Sequence, residues 1–565
     1  ANITDEGTLS YQWYSNTTDS NSGGTVISGA TGKSYTPPTD TEGTTWYYCV
    51  VTNTLNGMTA QTTSDAAKIE IAPAVISFGI TVAGIEVTNK NAGDVLGDGK
   101  VSYFPQTKSL LLNGASIDGS NADGAIMANE DLNIVLAEEN ICKGRIQAEG
   151  DLSISGFGSL EVTTTKNNHT CLSSKNGSIT ITYTTLKLTA QDIYTQAIRC
   201  GSESNITIEW ANVNAKGPNS GIFCDNGTVQ ISNSTVTAEG RYGILANYKG
   251  SIEISESTVT LNGTDAGGAY AMTMTVRDSD VSVSPDSYAY SLWILDTLKI
   301  QNSIFNSQSP QNGICVANLI VDDSSAESAT DMTIQCESGN SIYIYSTSGA
   351  GQFKVTPKTG VLMDVLAGDT QDDAARIEGA AFDTEKVLSN LYGEKYFRLK
   401  VHEHEGTHVP RKEATCTKDG NIEYWYCDGC GKDFADEGLT DEITLDKTVI
   451  LAKGHGTTQI QNKKDATCTE EGYTGNKVCT VCGEILEYGK TLQKLAHDYK
   501  DGKCIICGAV DPSYKPAEIE NAENGSASSP QTNDNNNTLP WIILLFASGS
   551  ALGLMGYSKK KKQAK

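Results

Sequence analysis

Through the middle of the chain, apolar and polar residues alternate in short runs, break at a polar turn and start again. The segments DLSISGFGSLEV, SITITYTTLKLTA, NITIEWANVNA, TVQISNSTVTA, SIEISESTVTL and TLKIQNSIFNS share one layout: an alternating strand ending in Ile, a polar turn, then a second short strand. The anchors Ile154, Ile181, Ile208, Ile231, Ile254 and Ile300 stand 27, 27, 23, 23 and 46 residues apart, and Val276 fills the double gap. A second column, Ile198, Ile222, Ile244, Met272, Leu292 and Ile314, keeps step at intervals of 20 to 28. Periods of this length mark solenoids. Short strands with no helical stretch between them select a parallel β-helix, expected to be right-handed and to occupy 123–365. Hairpins at 74–122, with a Gly-Asp-Gly turn at 97–99, lead into it. No rung buries its apolar face alone, but stacked rungs share a core. Cys200 and Cys224, each two residues past a second-column Ile, should stack inside as small hydrophobes.

Two residues before the second column stand Gln196, Ser220, Tyr242, Tyr270, Tyr290 and Asn312. Read as outward-facing, Tyr242, Tyr270 and Tyr290 would form an aromatic strip on rungs ~4.8 Å apart, a surface on which sugars stack. The region 75–365 resembles the carbohydrate-binding β-helix proteins of Firmicutes surfaces, and the resemblance implies a polysaccharide or glycan ligand without catalysis. The alternatives are a β-helix lyase or hydrolase and a purely structural spacer. Hydrolysis needs paired carboxylates; a lyase needs Ca²⁺ ligands and a basic residue. Asp278 and Asp280 share a face, but no column joins Asp to Arg or Lys, and His169 reads as a surface residue. No catalytic residue is assigned, and Ca²⁺ stays a candidate bridge to an anionic glycan.

Residues 1–73 carry a different pattern. Trp13 sits in the alternating YQWY, and Tyr47 precedes Cys49 by two in YYCVVTN, the layout of a tyrosine corner. This resembles the Ig-like repeats of bacterial surface proteins. It implies a sandwich lacking its first strand, with Trp13 and Tyr47 in the core. The sequence opens at Ala1 without a signal-type run, and a preceding part is expected.

Eight of the 15 cysteines follow residue 415. ATCTKDGNIEYWYCDGCGKDF and ATCTEEGYTGNKVCTVCGEIL share Cys-x10-Cys-x2-Cys, with Cys416, Cys427 and Cys430 in one and Cys468, Cys479 and Cys482 in the other. HDYKDGKCIICGAVDPSY adds Cys504 and Cys507. Each ends Cys-x2-Cys-Gly, the zinc-knuckle form, in which Gly lets the chain turn its N–H groups toward a thiolate. Such spacings suit tetrahedral Zn²⁺. One Cys3His site per full repeat is expected within 401–513, the third unit being incomplete. The histidine comes either from upstream (His402, His404 or His408, then His455) or from the next repeat (His455, then His497). A disulfide module is the alternative. The repeats resemble those that precede the wall anchor in clostridial surface proteins. Residues 366–400 read as a connecting segment.

Charge and the C-terminus set the location. The net charge is -26 and the one basic cluster is terminal, so nucleic acid is excluded as a partner. The linker 514–538 contains Ser529-Pro530-Gln531-Thr532-Asn533. An uncharged apolar run, Leu539 to Tyr557, and five lysines follow at 539–565, long enough for a transmembrane helix. Pentapeptide, apolar span and basic tail in this order resemble the sorting signal of Gram-positive surface proteins. Ser529 and Asn533 depart from the commonest form, and Pro-Gln-Thr-Asn is nearer that of class B transpeptidases. The resemblance implies that a sortase cuts after Thr532 and joins the protein to peptidoglycan. The expected architecture is therefore mostly β: a partial Ig-like sandwich, a parallel β-helix, zinc-ribbon-like repeats and a C-terminal transmembrane helix, displayed at the cell surface.

Overall fold

The computed structural model describes residues 1–286, 290–345, 351–377, 383, 386–388, 391 and 393–515. They form two compact units, Ala1–Ala452 and one beginning at Lys453. The one helix among the described residues is the four-residue Leu445–Thr448, and none is long and apolar enough to cross a membrane. The pentapeptide at 529–533 and the apolar run at 539–557 lie outside the described residues.

The first unit opens with an antiparallel sheet. Gly43–Leu55 is its centre, pairing with Thr8–Asn16, Met58–Thr63 and Ala67–Ile71, and Thr25–Val26 adds to the far edge. These strands make one sheet rather than the two of a sandwich. Tyr47, Tyr48 and Cys49 are buried, whereas Trp13 is only partly covered and donates its indole N–H to the Gly32 carbonyl at 3.0 Å. Trp13, Tyr35 and Tyr47 are linked by ring contacts at 6.0 and 5.8 Å.

The remainder of the unit up to Val401 is a parallel β-solenoid with capped ends. Its first column runs in register through Leu110, Ile134, Ile154, Ile181, Ile208, Ile231, Ile254, Val276, Ile300, Val321 and Val355. All are essentially inaccessible and belong to one continuous apolar core. Alternation explains this: on each strand every second residue faces inward, and the inward set meets its counterparts one rung away. The second column runs Leu172, Ile198, Ile222, Ile244, Ala269, Leu292, Ile314 and Ile342. Met272 is not in it. The chain spends extra residues at that corner, where Gly240 pairs with Gly263 but Tyr242 pairs with Gly267. Gly267 takes the bend at φ 126°, and the inward position falls on the small Ala269 instead of the next large apolar residue. Cys200 and Cys224 are buried with their sulfurs 3.3 Å apart.

A ladder unforeseen in the sequence joins the rungs at one turn. There Tyr183, Trp210, Asn233, Glu256, Asp278 and Asn302 adopt left-handed backbone with φ between 48° and 55°, and the residue after each points inward. Ser234 Oγ accepts the N–H of Ala211, Ser257 that of Ser234 and Ser279 that of Ser257, each at 3.1 Å, and Ser303 accepts that of Ser279 at 3.2 Å. Each of these hydroxyls donates to the carbonyl two residues back at 2.6–2.7 Å. Buried N–H groups are thus satisfied where strand pairing stops. The ladder ends on the buried Asp323, whose carboxylate accepts from the N–H groups of Asn302 and Thr330 at 2.7 Å.

Both ends are closed by antiparallel strands. Ser77–Val82 covers Ile126–Ala128, and Tyr396–Val401 pairs with both Asp331–Cys336 and Met363–Gly368. The stretch 366–400 therefore supplies part of the closing strand instead of merely connecting domains. Such caps cover edges that would otherwise recruit another strand.

Candidate metal centres and aromatic faces

Each Cys-x2-Cys-Gly knuckle folds alike. The N–H of Gly431, Gly483 and Gly508 donates to the carbonyl of Cys427, Cys479 and Cys504 at 2.8, 3.0 and 2.9 Å, and all three glycines have φ of 75–76°. This conformation is natural to Gly, so the turn is written into the motif.

In the first unit the knuckle meets two histidines. His402, His404, Cys427 and Cys430 offer ligand atoms within 4.8 Å of one another. His402 Nε2 lies 3.5 Å from Cys427 Sγ, and His404 Nδ1 lies 3.3 Å from Cys430 Sγ. Behind His402, Nδ1 bonds the buried Asp364 carboxylate at 2.8 Å, and Arg376 Nε lies 3.0 Å from the same carboxylate. Asp364 stands on the closing strand Met363–Gly368, so the end of the solenoid orients a ligand, as carboxylates behind metal-bound histidines do. Gly429 follows from this contact, because a Cβ there would meet Arg376 at 2.4 Å and His402 at 2.6 Å. Its counterparts Val481 and Ile506 are exposed. Cys416 is buried in the first unit but is not one of these four, so the expected Cys416–Cys427–Cys430 set is not formed.

The second unit repeats the chemistry. His455, Cys479 and Cys482 lie together, with His455 Nδ1 3.4 Å from Cys482 Sγ. Cys468, His497, Cys504 and Cys507 make a full four-ligand group; Cys468 and Cys504 sulfurs are 3.9 Å apart, and His497 Nδ1 is 3.2 Å from Cys507 Sγ. The last knuckle is therefore complete, because it borrows Cys468 from the repeat before it. An upstream histidine serves each of the three knuckles, and the first uses two, His402 and His404. His408 instead bonds Glu423 at 2.9 Å.

The first thiol of each knuckle is held at about 6. For Cys427 burial opposes ionisation, but hydrogen bonds from His404, the Cys430 N–H and His402 outweigh it. For Cys479 the Cys482 N–H and His455 act together. For Cys504 the Cys507 N–H leads, and burial, which opposes it, is outweighed once His497 and the Ile506 N–H are added. A thiol below its usual range supplies thiolate at neutral pH, the form that binds metal. These groups can hold a metal ion such as zinc, which takes Cys and His ligands. Asp364→Ala should weaken metal binding at the first group by roughly 10- to 100-fold, read by competition with a chromogenic chelator, and leave the second unit's affinity unchanged.

No family model, curated protein or solved structure matches this chain.

The three tyrosines expected to form a strip do meet, but not as a flat ladder. Tyr242 and Tyr290 share one column, with Gly267 above Tyr242; Tyr270 belongs to the neighbouring column with Leu245 and Trp293. The shifted register at Ala269 is the reason. Gln196 and Ser220 in the tyrosine column are buried, so that column does not face outward throughout. Tyr270 is almost fully buried and touches Tyr242, Tyr248 and Trp293 edge-on at 6.0, 5.8 and 5.7 Å. Burial, then a hydrogen bond with Tyr248, pushes its phenol up to about 12. Tyr290 contacts Trp293 at 6.0 Å and Tyr343 at 6.2 Å. The accessible rings of this face are Tyr248 and Trp293; sequence spacing passed over both, because Trp293 stands beside the tyrosine column, in register with Tyr270, and Tyr248 stands in neither column.

Asp278 and Asp280 do not act as a pair here. Asp278 sits in the left-handed turn and accepts from Asn302, while Asp280 begins the next strand. His169 is partly buried and lines a cleft of about 410 Å³ with Lys143, Glu161 and Lys166. Burial, then Arg145 and Lys166, lowers its pKa. In the solenoid, burial lifts the Cys142 and Cys171 thiols to about 12, as befits packing rather than reactive cysteines.

Proposed function

We propose that the chain is a surface-displayed carbohydrate-binding protein without catalysis, anchored to the cell wall by sortase, with zinc held structurally by its Cys/His groups. The solenoid offers a regular outer surface, and its aromatic face carries the reading: Tyr248 and Trp293 are exposed on a base of Tyr242, Tyr270, Tyr290 and Tyr343. The buried Tyr270 meets both outer rings edge-on and helps fix them in place, and preorganised aromatic surface binds at low entropic cost. Tyr248→Ala with Trp293→Ala should weaken glycan-array binding by the full chain about tenfold or more, with the unfolding midpoint little changed. Unaltered binding would remove this face from the account. The anchoring part rests on the C-terminal sequence, and mass spectrometry of muramidase-released protein should find Thr532 as the last residue.

One observation favours a second reading. His169, which shares a cleft with Lys143 and Lys166 and whose pKa is lowered by burial and then by Arg145 and Lys166, has the makings of a base beside cations that would neutralise a uronate carboxylate, as β-elimination in a polysaccharide lyase requires. Release of unsaturated products from a polyuronate, abolished by His169→Ala, would establish it.

A further inference from the structure

A different edge of each rung, the turn between its other two strands, carries a second row of rings. Phe157 lies between strands Leu152–Ser155 and Ser159–Thr164. Tyr183 and Trp210 occupy the same turn on the next two rungs, after Ile179–Thr182 and Ile206–Glu209. Their rings follow one another at 6.5 Å in both steps, and those of Tyr183 and Trp210 are parallel within 2°. Phe157 is 97% exposed, Tyr183 53% and Trp210 52%, so these rings contribute little to the core.

Two features make the row more than stray surface hydrophobics. First, Tyr183 and Trp210 stand in left-handed backbone, at φ 55° and 53°. This is an uncommon conformation for bulky L-residues, while Asn tolerates it well. Asn233 and Asn302 fill the same slot further along. Fold alone is better served by Asn, and strain retained at an exposed position points to function. Second, the rings border a shallow cleft of about 400 Å³ rimmed by Thr185, Asn212, Asn233 and Thr235, with no charged side chain in its lining. On a chain with net charge -26, an uncharged aromatic cleft with hydroxyl and amide rims selects a neutral ligand carrying both apolar C–H faces and hydroxyls.

We infer that Phe157, Tyr183 and Trp210 form a second binding site, for an uncharged polysaccharide whose pyranose rings stack along successive turns, as in a β-linked glucan. Hydroxyls bond the Asn and Thr rim while the rings cover the sugar faces. This extends the carbohydrate reading to a site of its own, separate from the Tyr248–Trp293 face.

Affinity electrophoresis of the full chain tests it, in gels holding hydroxyethyl cellulose (an uncharged β-glucan) or polygalacturonate (a charged polymer). The wild type should be retarded by hydroxyethyl cellulose. Tyr183→Asn with Trp210→Asn should weaken that retardation roughly tenfold or more, the scale of losing aromatic stacking partners in polymer-binding grooves. The urea midpoint of the same variant should hold or rise, because Asn suits the turn. Phe157→Ala should weaken retardation without touching that backbone. Absence of retardation in the wild type, or full retention in the double variant, would overturn the inference. So would a variant that only turns a dimer into a monomer by sedimentation, since the row would then be a self-association surface. The Tyr248/Trp293 variant separates the two sites: it should keep its retardation by hydroxyethyl cellulose. If it alone loses it, the present inference fails while the carbohydrate reading stands.

Discussion

Stripping metal from the protein should unfold the second unit while the solenoid stays intact. Among the described residues of that unit, the buried apolar side chains are Cys468, Val478, Cys479 and Cys504. Three of the four are ligands, so the core and the metal site are the same object. Strands there are short, from Thr491–Leu492 at two residues to Thr458–Gln461 at four, and make few hydrogen bonds of their own. Structural Zn²⁺ supplies about 10–16 kcal/mol in small zinc modules at neutral pH, more than such a unit can replace. Native zinc-loaded protein should contain three zinc ions per chain, one for each knuckle, and a strong chelator should abolish amide protection across Lys453–Lys515. Protection in the solenoid should be unaffected. Metal-free protein that stays folded with its cysteines oxidised would establish disulfides instead.

Ile208→Asp should cost about 5 kcal/mol or more, because it removes a buried aliphatic side chain and places a carboxylate in its space. Ile208 is inaccessible and stacks between Ile181 and Ile231. Each rung is held mainly by its neighbours, so the damage should be greatest in the rungs next to Ile208. Urea denaturation should show a much lower midpoint, and hydrogen exchange should show protection lost first over Ile179–Thr182, Ile206–Glu209 and Thr228–Ser232. A change confined to the substituted strand would contradict the stacked-rung account of stability.

The solenoid was legible because its signal is a pattern repeated many times. The inward column from Ile154 to Ile300 needs only alternation and period, and even the missing rung at Val276 follows from the spacing. The second column slipped where the repeat is irregular. Between Asn262 and Gly268 extra residues enter one corner, and the inward residue became an alanine that hydrophobicity does not distinguish. Tyr270 went astray for the same reason. The serine ladder was invisible, since a Ser after a turn residue looks like any polar turn until neighbouring rungs are superposed. The cysteine-rich part gave its ligand types and turns through Cys-x2-Cys-Gly. Its groupings were hidden, because Cys468 joins the next knuckle rather than its own. Nor does spacing reveal Asp364 and Arg376 behind His402, which reach it only because the last solenoid strands fold back.

The central claim is that the chain binds a glycan and leaves it intact. The direct measurement incubates the full protein with each glycan that retains it and follows both bound protein and new reducing or unsaturated ends. The account predicts saturable binding with no release of product, and loss of binding when the aromatic faces are removed. Product release that disappears with His169→Ala would contradict it, and retention by no glycan at all would leave the solenoid a spacer.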